Sequence, residues 1–233
     1  MEKSIRISKI TINRLVSDIK KIRKDPLEDD NIYYKHDEEN MLKGYAMIIG
    51  YKDTPYEYGC YFFEFNFPSN YPFSPPTLVF CTNDGETRFN PNLYKCGKVC
   101  LSVLNTWKGE QWTSCQTISS ILLILSTVLN DKPLLNEPGI KEDHKDFDKY
   151  NKIIKFKNYK TALLKMVTKE NTPVQFEKFY DIIKIHYEKN KIDILQNIRD
   201  LQNTDEIVST SIYSMKVKVN YTNLLKSFEK LIL

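Results

Sequence analysis

Glycine is scarce in this chain, with 7 residues in 233. Those few never gather into a Walker-type loop or a dinucleotide-binding turn, so the chain has no phosphate cradle of its own. Histidine is scarcer still, limited to His36, His144 and His186. A cysteine hydrolase needs an imidazole to activate its thiol, and none of the three lies in a recognisable partner motif. They read instead as surface residues. No segment approaches the ~20 apolar residues of a membrane-spanning helix. The opening Met1–Arg6 holds no apolar run of signal-peptide length. Neither charge sign dominates: 34 Lys and Arg are interspersed with 30 Asp and Glu, for a net charge of +4. No basic stripe marks a nucleic-acid partner or a membrane surface.

What is present reads as an ordinary soluble globular chain, 41% hydrophobic and 27% charged. Its length allows one core-forming domain with an elaboration, or two small domains. The five cysteines (Cys60, Cys81, Cys96, Cys100 and Cys115) are odd in number and irregular in spacing. They predict free thiols in a reducing compartment, cytosol or nucleus. Zinc asks for four ligands, and no second Cys or His pair joins Cys96 and Cys100. No metal and no cofactor is expected.

Hydrophobic spacing supplies the architecture. Ile12, Leu15, Val16, Ile19 and Ile22 recur at helical period, and Asp25-Pro26 ends that helix. Short β-rich runs follow at Ile32–Lys35, Leu42–Ile49, Gly59–Phe67 and Thr77–Thr82. Their short connections predict an antiparallel meander with a helix on one face. A second helix, Gln116–Leu129, carries an inward stripe of Ile118, Ile121, Leu122 and Leu125. Further helical patterns run over Tyr150–Val167, from Thr172-Pro173 through Tyr187 to Leu201, and over Tyr221–Leu233. Asn203–Ser211 reads as a mobile linker. The segment Asn83–Ser114 has no period, and an aperiodic stretch this long in a compact domain points to function.

Inside that stretch lies Arg88-Phe89-Asn90-Pro91-Asn92-Leu93-Tyr94-Lys95-Cys96-Gly97-Lys98-Val99-Cys100-Leu101-Ser102. Taken alone, Cys100 is a small buried apolar residue, as most free cysteines are. Its frame is more specific: a Pro-Asn turn, a Tyr two residues after the Asn, a Gly three before the Cys and a Leu after it. This frame resembles the active-site segment of ubiquitin-conjugating enzymes. Tyr71-Pro72-Phe73-Ser74-Pro75-Pro76, Gly50 with Pro55-Tyr56 and Gly59, and Trp112 with Gln116-Thr117-Ile118-Ser119 match the same family in order. The resemblance runs from about Ser8 to Gly139. The long Cys-to-Trp interval and Asn136-Glu137-Pro138-Gly139 look most like its Z-type members.

That resemblance implies an α+β ubiquitin-conjugating-enzyme fold: an N-terminal helix, a four-stranded antiparallel meander, a central helix and a helical C-terminal extension. It sets a catalytic core at 1–170 and the extension at 171–233. Cys100 would carry ubiquitin or a ubiquitin-like protein as a thioester, and Asn92 would stabilise the oxyanion, or stabilise the turn, or both. Tyr94 would wall the lysine approach or simply pack. An acidic gate is implied near Asp131, although strict anchoring puts Lys132 there. Phe73 and Ser114 would face a ligase, with Lys9 and Arg14 as further partner-facing residues. The implied partners of this monomer are the modifier, an activating enzyme that supplies the ATP energy, a ligase and substrate lysines. The contrasting possibility is a catalytically silent family variant that only binds ubiquitin or scaffolds a partner. Such variants lack the carrier cysteine, whereas the usual His-Pro-Asn stands here as Asn90-Pro91-Asn92 with Cys100 retained.

Overall fold

The computed structural model describes residues 7–170 and 172–231. The Met1–Arg6 stretch, Asn171 at the expected boundary, and the last two residues of the expected final helix lie outside the described residues.

Helix α1 (Lys9–Lys24) starts at Ser8, whose hydroxyl accepts the Thr11 N–H at 3.0 Å and so satisfies one orphan donor of the helix start. Lys21, Arg23 and Lys24 fill its last turn, where the helix dipole favours cations. Its buried face differs from the expected stripe. Thr11, Leu15, Asp18 and Ile22 are buried, while Ile12 is 36% exposed. Two polar residues rotate the face. Thr11 Oγ1 donates to the Ser69 carbonyl at 2.9 Å, and the Asp18 carboxylate accepts from the Tyr71 hydroxyl at 2.6 Å and Arg14 Nε at 3.0 Å. A buried carboxylate is tolerable only with such partners.

Strands β1 (Ile32–His36), β2 (Lys43–Ile49), β3 (Cys60–Asn66) and β4 (Thr77–Phe80) pair in chain order, all antiparallel, with ends within two residues of the expected runs. The register sets Ala46 opposite both Tyr34 and Phe63, and Phe63 opposite Phe80. On this face the rings of Tyr61, Phe63, Phe80 and Phe89 meet at centroid distances of 5.5–6.4 Å. Helix α2 (Ile118–Thr127) is capped by a reciprocal pair, Thr117 with Ser120, and buries Ile118, Ile121, Leu122 and Leu125 as its period requires.

After α2 the chain first packs at Tyr61, on the same face, and then crosses to the other face of the sheet at Phe176. Helix α3 (Phe147–Lys157) passes into a π-helical run, Asn158–Leu164, and a last turn, α4 (Lys165–Val167), where sequence spacing predicts one unbroken helix. Asn158 ties this segment down, donating to the Glu57 carbonyl at 2.8 Å and accepting from the Tyr61 hydroxyl at 2.6 Å. A short 3-10 segment, Val174–Phe179, then leads into α5 (Tyr180–Asp200). Phe176 stacks on Phe62 at 4.4 Å and meets Tyr45 edge-on at 5.6 Å. The sheet is therefore covered on both faces rather than one.

The reading of Asn203–Ser211 as a linker is corrected. Strand β5 (Glu206–Thr210) pairs antiparallel with β6 (Met215–Val219) in a hairpin, followed by α6 (Tyr221–Glu229). Val208, Thr210, Met215, Val217 and Val219 are buried in strict alternation, so the hairpin has an apolar side that must be covered. It packs on α3, with Lys152 and Glu206 2.8 Å apart. Apart from this hairpin, the expected helix–meander–helix architecture and the helical extension stand.

Phe176 is 1% exposed. Phe176→Ala removes the ring that covers Phe62, and truncations of this kind cost about 3–5 kcal/mol. Equilibrium urea unfolding of the variant should show a lower midpoint with an unchanged slope.

Candidate active site

The loop after β4 is shaped by its backbone. Single bridges join Asn90 to Leu93 and Leu93 to Val99. Between them the chain turns at Gly97, where φ is +87°. The Gly97 N–H donates to Tyr94, and its carbonyl accepts the Phe80 N–H at 2.7 Å. Glycine enters this left-handed region without the penalty a side chain would incur. This is why a glycine stands three residues before the cysteine.

The turn brings Asn92 and Cys100 together. Cys100 N–H donates to the Asn92 carbonyl at 2.9 Å, and Asn92 Nδ2 donates to the Cys100 carbonyl at 2.7 Å. Both residues are buried, Cys100 at 2% exposure and Asn92 at 6%. The Asn92 amide has two N–H bonds, of which one serves the Cys100 carbonyl. Thr106 braces the next residue, accepting the Leu101 N–H at 2.9 Å and reaching the Leu101 carbonyl at 3.1 Å. The remaining four thiols lie elsewhere. Burial pushes Cys60 up to about 12, and burial together with Glu64 pushes Cys81 up to about 12. Both stay protonated and unreactive at neutral pH. Cys96 and Cys115 are exposed and lie outside the Asn92 clasp.

Three residues not singled out by spacing hold the loop. Asn90 is 0% exposed. It donates to the Tyr56 hydroxyl at 2.9 Å and the Val128 carbonyl at 2.6 Å, and accepts from Asn92 N–H at 3.0 Å and Asn136 Nδ2 at 3.2 Å. Tyr56 in turn donates to the Phe89 carbonyl at 2.7 Å, and burial holds its phenol far above the ordinary range. Arg88 is 8% exposed and donates to the carbonyls of Asn90 at 3.1 Å and Pro91 at 2.5 Å. The sequence signal for Asn90 was its place where the family's His stands, and for Tyr56 its place in the matching Pro55-Tyr56 segment; Arg88 offered none of its own.

The other candidates fall into separate places. Tyr94 is half-buried, and its ring lies under the Arg88 guanidinium, 3.2 Å from centroid to carbon. Asp131 is exposed on the rim of a shallow cavity lined by Tyr51, Asp53, Thr54 and Thr127. The ammonium of Lys132 is 2.6 Å from Glu142, which raises its pKa. Phe73 is 66% exposed and Ser114 is exposed. Their loops are linked, because Trp112 Nε1 donates to the Pro72 carbonyl at 2.7 Å. Lys9 is exposed at the start of α1.

Arg14 is partly exposed, and its guanidinium is engaged within the fold. It donates to Asp18, to the Ser114 carbonyl at 2.5 Å and to the Gln116 carbonyl. The histidines are also more enclosed than expected. Burial lowers His36 and His186, each engaged by a backbone carbonyl. Among the described residues no histidine is hydrogen-bonded to Cys100.

A family model described as ubiquitin-conjugating enzyme matches residues 14–160. The chain belongs to the ubiquitin-conjugating enzyme family. Among curated relatives, ubiquitin-conjugating enzyme E2 Z of Xenopus tropicalis is 37% identical over 165 residues, 70% of this chain and 52% of that protein. Its human counterpart is 38% identical over 157 residues, 66% of this chain and 44% of that protein. Probable ubiquitin-conjugating enzyme E2 R521 of Acanthamoeba polyphaga mimivirus is 37% identical over 170 residues, 67% of this chain but 11% of that protein. The chain thus spans about half the length of the E2 Z relatives. The Z-type likeness read from the sequence stands.

In this family member the Asn90 network can be tested directly. Asn90→Ala leaves the buried Asn92 N–H without its acceptor, at ~1–3 kcal/mol for an orphaned group. Thermal unfolding should occur at a clearly lower temperature than in the parent chain, and a nearly unchanged melting temperature would contradict the network's weight.

Proposed function

We propose that this chain is an active conjugating enzyme that accepts ubiquitin or a ubiquitin-like protein on Cys100 and passes it to a ligase or a lysine. The observation that supports the reading is the two-way clasp between Asn92 and the Cys100 backbone, which in the proposed reaction keeps an amide donor close to the carrier residue. A thiolate is both a good nucleophile and a good leaving group, so one cysteine serves charging and discharge. In charging, Cys100 Sγ attacks the carbonyl carbon of the modifier's thioester on the activating enzyme. The oxyanion that forms collapses and expels the activating enzyme's thiolate. In discharge, a neutral lysine amine attacks the same carbon, the amine proton is lost to solvent or a nearby base, and Cys100 leaves as thiolate.

The second N–H of Asn92 is the donor for the oxyanion, and Tyr94 walls the lysine approach. Asp131 takes the gate position, because the Lys132 ammonium is held by Glu142. The exposed Phe73, Ser114 and Lys9 face partners. A free carrier thiol suits the cytosol or nucleus. The silent-variant reading has no specific support, since its defining feature is loss of the carrier cysteine.

Two experiments test this. Incubation with activating enzyme, ATP and a panel of ubiquitin-like proteins should give a thiol-labile adduct. Cys100→Ser should replace it with a thiol-stable ester or no adduct at all. Unchanged thiol-labile charging of that variant would remove Cys100 from the role. Asn92→Ala should charge at a rate close to the parent's but discharge to free lysine ~100-fold more slowly, the usual cost of one oxyanion donor. Equal losses in both steps would assign Asn92 to the turn alone.

A further inference from the structure

Arg88 is a buried cation without a carboxylate: among the described residues none lies within ion-pair distance of it. Burying an unpaired charge is costly, so its compensation shows what the site is built around. In its plane the guanidinium donates to the Asn90 and Pro91 carbonyls. Its faces meet two aromatic rings, Tyr94 at 3.2 Å and Tyr213 at 4.9 Å. Cation–π attraction is strongest where both partners are desolvated. Tyr94 belongs to the loop that carries Asn92. Tyr213 is more than a hundred residues further on, at the tip of the β5–β6 hairpin.

That tip is held in a conformation that is unfavourable by itself. Tyr213 and Ser214 have φ of 58° and 47°, a region costly for residues other than glycine, so the surroundings must fix it. They do so from several sides. The Asp146 carboxylate accepts from Ser211 N–H at 2.9 Å, Ser211 Oγ at 2.6 Å and Ile212 N–H at 3.0 Å. The Tyr213 hydroxyl donates to Glu137 at 2.5 Å, and its carbonyl accepts from Lys95 Nζ at 3.0 Å. Lys95 adjoins Tyr94, so the tip grips the active-site loop at two points. Next to the tip, the Met215 thioether accepts the Arg88 N–H at 3.4 Å.

We infer that Tyr213 is a positioning residue for the transfer step: its ring holds Arg88, and Arg88 holds the Asn90–Tyr94 segment that presents Asn92 and Tyr94 to the incoming amine. This rests on the thioester-transfer reading above and deepens it, because the C-terminal extension then takes part in setting the chemistry of the core. Aminolysis needs a narrow geometry, and a 1 Å misplacement can cost ~100-fold. Exchange between two thiols is less demanding, so a loosened loop should separate the two steps.

The experiment uses the full chain with two variants of similar bulk. Tyr213→Phe keeps the ring on Arg88 and loses the bond to Glu137; Tyr213→Leu keeps apolar volume and removes the π face. Charging by activating enzyme and modifier, and discharge to free lysine, are measured for both beside the parent. Tyr213→Leu should charge within about twofold of the parent yet discharge ~10-fold more slowly, part of the range set by small misplacements. Tyr213→Phe should discharge as the parent does. If the parent discharges normally and Tyr213→Leu matches it, or loses charging in the same proportion, the positioning role is overturned. Equal loss in Tyr213→Phe also overturns it, by assigning the effect to the Glu137 bond. A parent chain that never charges would overturn the functional reading itself and this inference with it.

Discussion

The side chain of Asn90 is the tie on which the candidate active-site loop depends. It is fully buried, and it uses both amide hydrogens and its carbonyl oxygen at once. Through Tyr56 and Phe89 it reaches the sheet side of the core, through Val128 the end of α2, and through Asn136 the turn after it. Its oxygen takes the Asn92 N–H, which sets the direction of the residue that clasps Cys100. A loop without regular structure has few backbone bonds of its own, so its rigidity must come from side chains of this kind. Val128 and Asn136 are joined as well, at 3.0 Å, so the network closes on itself.

The extension solves a second problem. Strand β2 is buried from Gly44 to Ile49, and β3 begins with four buried residues. A strand buried on both sides needs two covers. One is the aromatic cluster of Tyr61, Phe63, Phe80 and Phe89 with the α2 stripe. The other is Phe176 and Phe179, which close over Tyr45 and Phe62. The segments after α4 thus share one hydrophobic core with the sheet. The hairpin that follows is fastened to α3 by Asp146, at the start of that helix, and by Lys152.

Legibility in the sequence followed the range of the interactions involved. Helix α2 was readable because its apolar residues keep a 3.6-residue period and its partners are all apolar. The α1 face was misread because Thr11 and Asp18 are buried by hydrogen bonds to Ser69 and Tyr71, more than fifty residues away. The alternation in Glu206–Thr210 and Met215–Val219 was present but short, and the turn between the strands contains no glycine, asparagine or proline to announce it. Tyr213 and Ser214 take the left-handed positions instead, against local preference. Cys100, Asn92 and Tyr94 were legible because they stand in one compact motif. The bonding roles of Arg88 and Tyr56 were not, because a buried arginine or tyrosine finds its carbonyls and rings only through three-dimensional folding.

The clasp between Asn92 and Cys100 explains why the supports lie where they do. One Asn92 N–H is bound to the backbone carbonyl of the cysteine that would carry the acyl group, so the proposed donor and the proposed nucleophile are tied together. What that bond cannot set is the rotation of the pair relative to an approaching amine. This remaining freedom is limited from outside, by Asn90 behind Asn92 and by Arg88 under the Pro91 and Asn90 carbonyls. Arg88 is in turn limited by its two rings, one from the loop and one from the hairpin. Electrostatic help for a developing oxyanion is strongest when the donor is already aimed and need not reorganise. In the proposed reaction, a strained turn at Tyr213, far along the chain, is therefore a physical means of keeping an amide at Asn92 correctly aimed.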